Sequence, residues 1–251
     1  MKFGITDIAL ENLIIFAVVT VRFWIIAGIA YLIFWVWKRE DWKHKRVKVE
    51  YPSRKKVMYE FKYSMFAMLT ITATGYFVNI GKEIGFFKVY DSIDEYGLGY
   101  FVFSIFAIIL LHDTYFYWAH PMMHHNSTNP SPWGAFSFHP TEAIVKSAIL
   151  PLVVLFMPMH KVAIFIFILY MTVMSVMGHL GFEMYPKGTT THWFGKWHHT
   201  ATHHYLHHSS VNCNYGLYFN FWDKIMGTNH LHYTETFENI KARENLSTNQ
   251  A

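Results

Sequence analysis

A single cysteine, Cys213, stands in a chain of 251 residues, which excludes an internal disulfide and any cysteine-based zinc site. Its expected role is that of a small buried side chain. Charge is scarce: Asp, Glu, Lys and Arg together make up 15% of the residues, low for a soluble globule. No His-Glu-x-x-His run occurs, which argues against a zinc-protease type of site. No internal repeat or low-complexity linker divides the chain, so residues 1–251 read as one integral-membrane domain. The first residues lack the basic start of a cleavable signal peptide. Histidine is nearly absent early on, with His44 alone before residue 111.

What is abundant is apolar: 53% of the chain is hydrophobic and 19% aromatic. Residues 13–37 are nearly all apolar, interrupted by Arg22, and long enough to cross a bilayer. Arg22 is expected to snorkel or to face a neighbouring helix. A second span is expected over residues 61–80 and a third from 98 to 111, continuing to Trp118. Two shorter runs, 143–158 and 162–177, suggest a hairpin that spans thinly or only dips in, with Pro151 kinking its first arm. The fold class is therefore all-α, a multi-pass membrane helical bundle of about four transmembrane helices, five if the hairpin crosses. A charged helix fraying into a tail is expected over residues 235–251.

Between the first two spans Lys38, Arg39, Lys43, Lys45, Arg46, Lys48, Arg54, Lys55 and Lys56 crowd into one loop. The flanking spans assign this loop to a membrane face and not to nucleic acid, and the positive-inside rule makes that face cytoplasmic. The N-terminus is then outside. Two out-and-back hairpins bring every histidine group to the cytosolic face, as a shared metal site requires.

The histidines fall into groups. His112 and His120 precede the pair His124 and His125; on a helix His120 and His124 share a face, with His112 two turns earlier. His139 and His179 follow singly. Residues 198–208 then read His-His-Thr-Ala-Thr-His-His-Tyr-Leu-His-His, where His204 lies three and four residues before His207 and His208. So many crowded imidazoles would repel and titrate near neutral pH, and binding a metal is the simplest reason to keep them. The candidate ligands are His112, His120, His124, His125, His139, His179, His203, His204, His207 and His208. Of these, His112, His120, His124, His125, His204, His207 and His208 form the candidate catalytic set. An all-imidazole site suits iron, zinc, copper or nickel, and spacing does not choose among them. Asp113, Glu142, Glu183 and Asp223 could fix imidazole tautomers, or could equally be solvated acids or helix caps. His44, His160, His192, His230 and His232 read as hydrogen-bonded structural residues.

These motifs together resemble the membrane-bound fatty acid hydroxylase/sterol desaturase superfamily over residues 103–228, the expected catalytic segment. The matching pieces include His112-Asp113, Tyr117-Trp118-Ala119-His120, His124-His125 and Phe138-His139-Pro140. They continue with residues 179–183, His203-His204-Tyr205-Leu206-His207-His208, Asn214-Tyr215-Gly216 and Trp222-Asp223. The resemblance implies a four-helix transmembrane scaffold capped by a cytosolic helical lobe. It implies a histidine-ligated di-iron centre that uses O2 and two delivered electrons to hydroxylate or desaturate a C–H bond of a sterol, fatty acyl chain or related isoprenoid. One departure stands out: Pro121 occupies the place of an expected arginine, and His120 to His125 compress two motifs into one. Either that run serves both metals, or one metal has lost ligands.

An unactivated C–H bond offers no polar handle to acid–base groups, so a redox metal is the fitting agent. Phe116, Tyr117, Trp118, Trp133 and Phe136 could line a lateral path for the lipid. With no reductase segment in the chain, electrons from NAD(P)H are expected through a separate cytochrome-, ferredoxin- or reductase-type donor. The alternatives are a membrane zinc hydrolase and a non-catalytic histidine-rich metal-binding protein.

Overall fold

In the computed structural model the described residues are 5–120 and 128–248. The first helix, α1 (Ile5–Ala30), runs on through π-helical turns over Tyr31–Trp37, where the Lys38 amide reaches back to the Ile33 carbonyl. The basic loop follows, and the Ser53 side chain, accepting from the Lys56 amide, starts α2 (Arg54–Glu83). Next comes α3 (Gly97–Ala119), then two short helices, α4 (Pro140–Ser147) and α5 (Ile149–Phe156). The chain continues as α6 (Lys161–Gly178), whose N-terminus is capped by the His160 ring. Three further helices, α7 (Ala201–Ser210), α8 (Phe221–Met226) and α9 (Tyr233–Thr248), make the terminal lobe.

Among the described residues three helical stretches are long and apolar enough to cross a bilayer: Leu13–Trp37, Gly97–Ala119 and Lys161–Gly178. The stretch expected as the second span lies within α2, which has the length at 30 residues. It lacks the same apolarity because Thr70, Thr72, Thr74 and Asn79 punctuate it. The expected hairpin is lopsided. Only α6 is span-length, whereas its first arm is divided between α4 and α5, each 8 residues and so about 12 Å long. Pro151 supplies the reason: a proline ring clashes with the carbonyl four residues earlier, here at Ser147, and the helix breaks there.

The bundle packs around two apolar clusters. One gathers Val19, Phe23, Ala27, Ala67, Met68, Phe136 and Val176. The other joins Val78, Ile108, Val153, Val154, Ala163 and Phe167. The large side chains left exposed along the spans, such as Ile25, Phe66, Phe103, Phe106 and Phe165, suit an apolar surround. A two-residue parallel pairing of β1 (Val89–Tyr90) with β2 (Met159–His160) ties α5 and α6 to the α2–α3 connection.

The ends of α1, α3 and α6 meet at the other pole, where the basic loop also lies. Trp35 donates to the Leu180 carbonyl just past α6, and Glu60 at the start of α2 accepts from the Ser131 amide and hydroxyl. One basic residue departs from the expected lipid-facing role. Arg46 is fully buried, its guanidinium against the rings of Trp35, Tyr51 and Phe182, with bonds to the Lys48 and Glu50 carbonyls. It pins the loop to the turn after α6.

Gly181 sits in that turn at φ +76°, and a Cβ there would lie 2.8 Å from the Arg46 guanidinium. Gly181→Ala therefore combines backbone strain with a clash, and should destabilise the protein by about 1–3 kcal/mol. A lowered Tm of the detergent-solubilised protein checks this; an unchanged Tm would count against the packing described.

Candidate metal centre

Three elements deliver the imidazoles. α3 carries His112 and ends at His120, α6 ends at His179, and α7 presents His203, His204, His207 and His208. The short α7 is anchored at its N-terminus by Thr200, which accepts from the His203 amide, and by Glu183, which accepts from the Thr202 amide and hydroxyl. On one helical face His204 and His208 then meet His179. Their Nε2 atoms form a triangle with sides of 3.4 Å (His204–His179), 3.2 Å (His208–His179) and 3.1 Å (His208–His204).

That triangle fits a cation better than protons. His179 Nδ1 donates to the Ser175 carbonyl at 2.8 Å, so its Nε2 carries the lone pair. Whatever protons the other two rings hold, at least one of the three contacts sets like groups face to face. Two imidazole nitrogens about 2.1 Å from one ion stand about 3.0 Å apart at a right angle and about 3.4 Å apart at the tetrahedral angle. The observed sides fall within that interval. Among the described residues, this is the group with metal-ligand spacing.

Beside it lie His120 and His207, ring centroids 4.1 Å apart. Their Nδ1 atoms donate to the carbonyls of Tyr215 (2.9 Å) and Cys213 (2.6 Å), which leaves Nε2 of each as the lone-pair nitrogen. His203 Nε2 is 3.5 Å from Asp223 Oδ2. His112, also buried, stacks on the Tyr218 ring. His199 was not among the expected ligands, yet it is buried against His203 and His204, and its Nε2 has no hydrogen-bond partner. Its place in the 198–208 run was the signal for it. Gly178 lets these rings approach, since a Cβ there would come within 3.1–3.3 Å of His199 and His204. His124 and His125 lie outside the described residues.

Other expected site residues hold different posts. His139 is exposed and caps α4, bonded to Thr141. Asp113 accepts from the amides of Leu217, Tyr218 and Phe219, and Asp223 from those of Tyr215 and Gly216 and the Thr228 hydroxyl. Glu183 caps α7, and Glu142 pairs with Lys146 at 2.8 Å. Backbone carbonyls, which no side-chain motif reveals, orient His120, His179 and His207. The residues read as structural include His160, which bonds the Asp91 carbonyl, and His192, which accepts from the Phe194 and Gly195 amides. Cys213 is buried as expected.

An apolar chamber of about 120 Å³ lies beside this region, lined by Ser175, which accepts from His179, and by His112. Phe116, Phe136, Lys146, Phe167 and Leu217 also line it. Tyr117 instead bonds Thr228, Trp118 is largely exposed, and Trp133 packs between Phe23 and Phe61.

Burial holds the cluster neutral. Desolvation lowers His179 and His207 to about 4 and His203 to about 3, and pushes His120, His199 and His204 well below the usual imidazole value. Neutral imidazole is the ligating form. The sign of the pH effect follows: below about pH 6.5 the unfolded chain takes up protons that the folded one refuses. Metal-free protein should lose stability from about pH 6.5 down to about pH 4, by about 1.4 kcal/mol per pH unit for each such group. Thermal melts across that range test it, and a flat profile between pH 7 and pH 5 would contradict it.

The fatty acid hydroxylase family matches residues 105–228, the stretch from within α3 through α8. The chain is 28% identical over 187 residues to the Delta(7)-sterol 5(6)-desaturase ERG3B of Gibberella zeae, covering 70% of this chain and 56% of that one. It is 26% identical over 189 residues to the lathosterol oxidase of Homo sapiens, covering 70% and 62%. With the Delta(7)-sterol 5(6)-desaturase erg31 of Schizosaccharomyces pombe it shares 26% over 153 residues, 56% of this chain and 48% of that one. The matched part thus spans between about half and two thirds of these relatives. No solved structure matches the chain. On the family match and these relatives, the chain belongs to the fatty acid hydroxylase/sterol desaturase superfamily.

Proposed function

We propose that this protein is a membrane-bound, non-haem iron oxidoreductase that hydroxylates or desaturates a lipid C–H bond with O2 and externally supplied electrons. The observation that carries this reading is the convergence of His179, His204 and His208 Nε2 at ligand spacing, near an apolar chamber that Ser175, the acceptor of the His179 bond, lines. It is supported by relatives whose names describe sterol desaturases and lathosterol oxidases.

His179, His204 and His208 would hold one iron. His120 and His207, already oriented by carbonyls, would contribute to a second, with His124, His125 and the neighbouring His199 and His203 as the reservoir of further ligands. The bound iron would supply O2 activation and the oxidising power that an unactivated C–H bond demands. Everything else is the work of the chain. Buried neutral rings provide lone pairs without proton competition. Ser175, Cys213 and Tyr215 hold the ring planes, and Asp113 and Asp223 secure the 215–219 loop that covers the cluster. Phe116, Phe136, Phe167 and Leu217 exclude water from the chamber and leave room for a hydrocarbon segment.

By this reading the cluster end faces the cytosol and the N-terminus lies outside, because the basic loop sits at the cluster end. The electron donor would dock there by charge, using exposed residues such as Arg39 and Lys43 and not the buried Arg46.

Metal analysis of purified protein beside lipid mass spectrometry of cells with and without it tests the reading. Iron, and one lipid class gaining an oxygen atom or losing two hydrogens, is the expected result. His204→Ala should lose most bound iron and the lipid product together. Zinc alone, with hydrolysis in anaerobic buffer, would favour the hydrolase alternative. Raising salt above 0.15 M, where the screening length is about 8 Å, should slow turnover with an acidic protein donor but not with a small chemical reductant. Equal slowing in both would remove the proposed docking face.

A further inference from the structure

Arg22 lies nine residues into the first span, in a helix that otherwise carries only apolar and small side chains through the bilayer. It neither snorkels to an edge nor finds a protein partner among the described residues. The residue is 7% exposed, and Nε, Nη1 and Nη2 are all buried without a hydrogen bond. Arginine keeps its charge in proteins, and an unpaired buried cation is destabilising by several kcal/mol, roughly, once removed from water. Something must answer it.

Arg22 lines a groove of about 280 Å³ between α1, α2 and α6. Two other cations border the groove, and both have a protein partner: Lys82 and Lys161 share Asp91, at 2.7 and 3.1 Å. No carboxylate is among the described lining residues; the remainder are apolar or neutral, Asn79 among them. Ile15, Val19, Gly75, Leu150 and Ile168 line both this groove and the chamber beneath His112. Groove and chamber therefore adjoin across these shared walls, with Arg22 bordering the one and His112 the other. The lining of both compartments is predominantly apolar, as a hydrocarbon segment requires.

We propose that Arg22 is the oxyanion-binding residue of a site for an acidic, single-chain-accommodating lipid, whose hydrocarbon runs along the groove toward the histidine cluster. The ligand chemistry is a carboxylate or phosphate joined to an acyl chain, and planar guanidinium recognises either with paired N–H donors. Calling this lipid the substrate rests on the oxidoreductase reading; the binding site itself does not. Its sequence signal was a lone arginine in an apolar span, and the helix packing determines that the side chain points inward.

The test reads binding without turnover. Protein in phosphatidylcholine nanodiscs is offered oleate, oleyl alcohol or phosphatidylglycerol, and retained ligand is measured by native mass spectrometry. Oleate should be held about ten- to a hundredfold more tightly than oleyl alcohol, the range a charge-assisted hydrogen-bonded pair supplies. Arg22→Gln should erase that difference while leaving oleyl alcohol binding unchanged, which also reports that the groove is intact. Arg22→Lys should keep part of it. Phosphatidylglycerol displacing oleate from the wild type, and not from Arg22→Gln protein, would assign the oxyanion to a phospholipid headgroup; failure to displace would assign it to a free fatty acid. Equal retention of oleate and oleyl alcohol by the wild type would overturn the proposal. So would an undiminished preference in Arg22→Gln protein. Neither result would bear on iron content, so the oxidoreductase reading is judged separately.

Discussion

Hydrogen bonds from imidazole Nδ1 to the carbonyls of Ser175, Cys213 and Tyr215 underlie the organisation of this molecule. Each fixes a tautomer and a ring plane, and together they turn Nε2 lone pairs inward at a place from which water is excluded. Such an arrangement is unfavourable as bare protein, because like-facing nitrogens and desolvated rings have no internal remedy. It becomes favourable when a cation takes the lone pairs. The fold around the cluster can be understood as the means of holding that unfavourable arrangement together.

Two kinds of support do this. The apolar helices set the depth at which α3 and α6 end, and the terminal lobe is then fastened over those ends by buried carboxylates. Asp113 grips the 217–219 amides, Asp223 the 215–216 amides, and Glu183 the start of α7. Burial raises Glu183 and Asp223 from their ordinary values, which their hydrogen bonds oppose. Arg46 performs the matching task for the basic loop. The lobe is thus joined to the bundle through these polar groups as well as through the apolar cluster of Phe116, Leu217 and Tyr218.

The same economy of charge gives Arg22 its meaning. Lys146 has Glu142, Lys82 and Lys161 share Asp91, and Arg46 has two carbonyls and three aromatic faces. A guanidinium without any such partner among the described residues, beside a groove that adjoins the chamber, is the exception among these buried or bordering cations.

Much of this was present in the sequence. Runs of apolar residues determine that α1 and α3 are span-length helices, since the bilayer admits backbone only when its hydrogen bonds close internally, whereas α6 reads from sequence only as a short hairpin arm. The i, i+4 spacing determines that His204 and His208 share a face. Pro151 forecasts a disturbance in the hairpin, though not that the helix would break outright before Ile149. Other features depended on contacts between residues far apart in the chain, which periodicity does not encode. His179 joins His204 and His208 across 25 and 29 residues, while His139, equally suggestive as a motif, only caps α4. The tautomer-fixing acceptors are main-chain atoms, identical in every residue and so invisible in composition. Local pattern thus chose the helices and supplied the imidazoles, but only their packing decided which rings share an ion's reach and which charge is left facing a lipid groove.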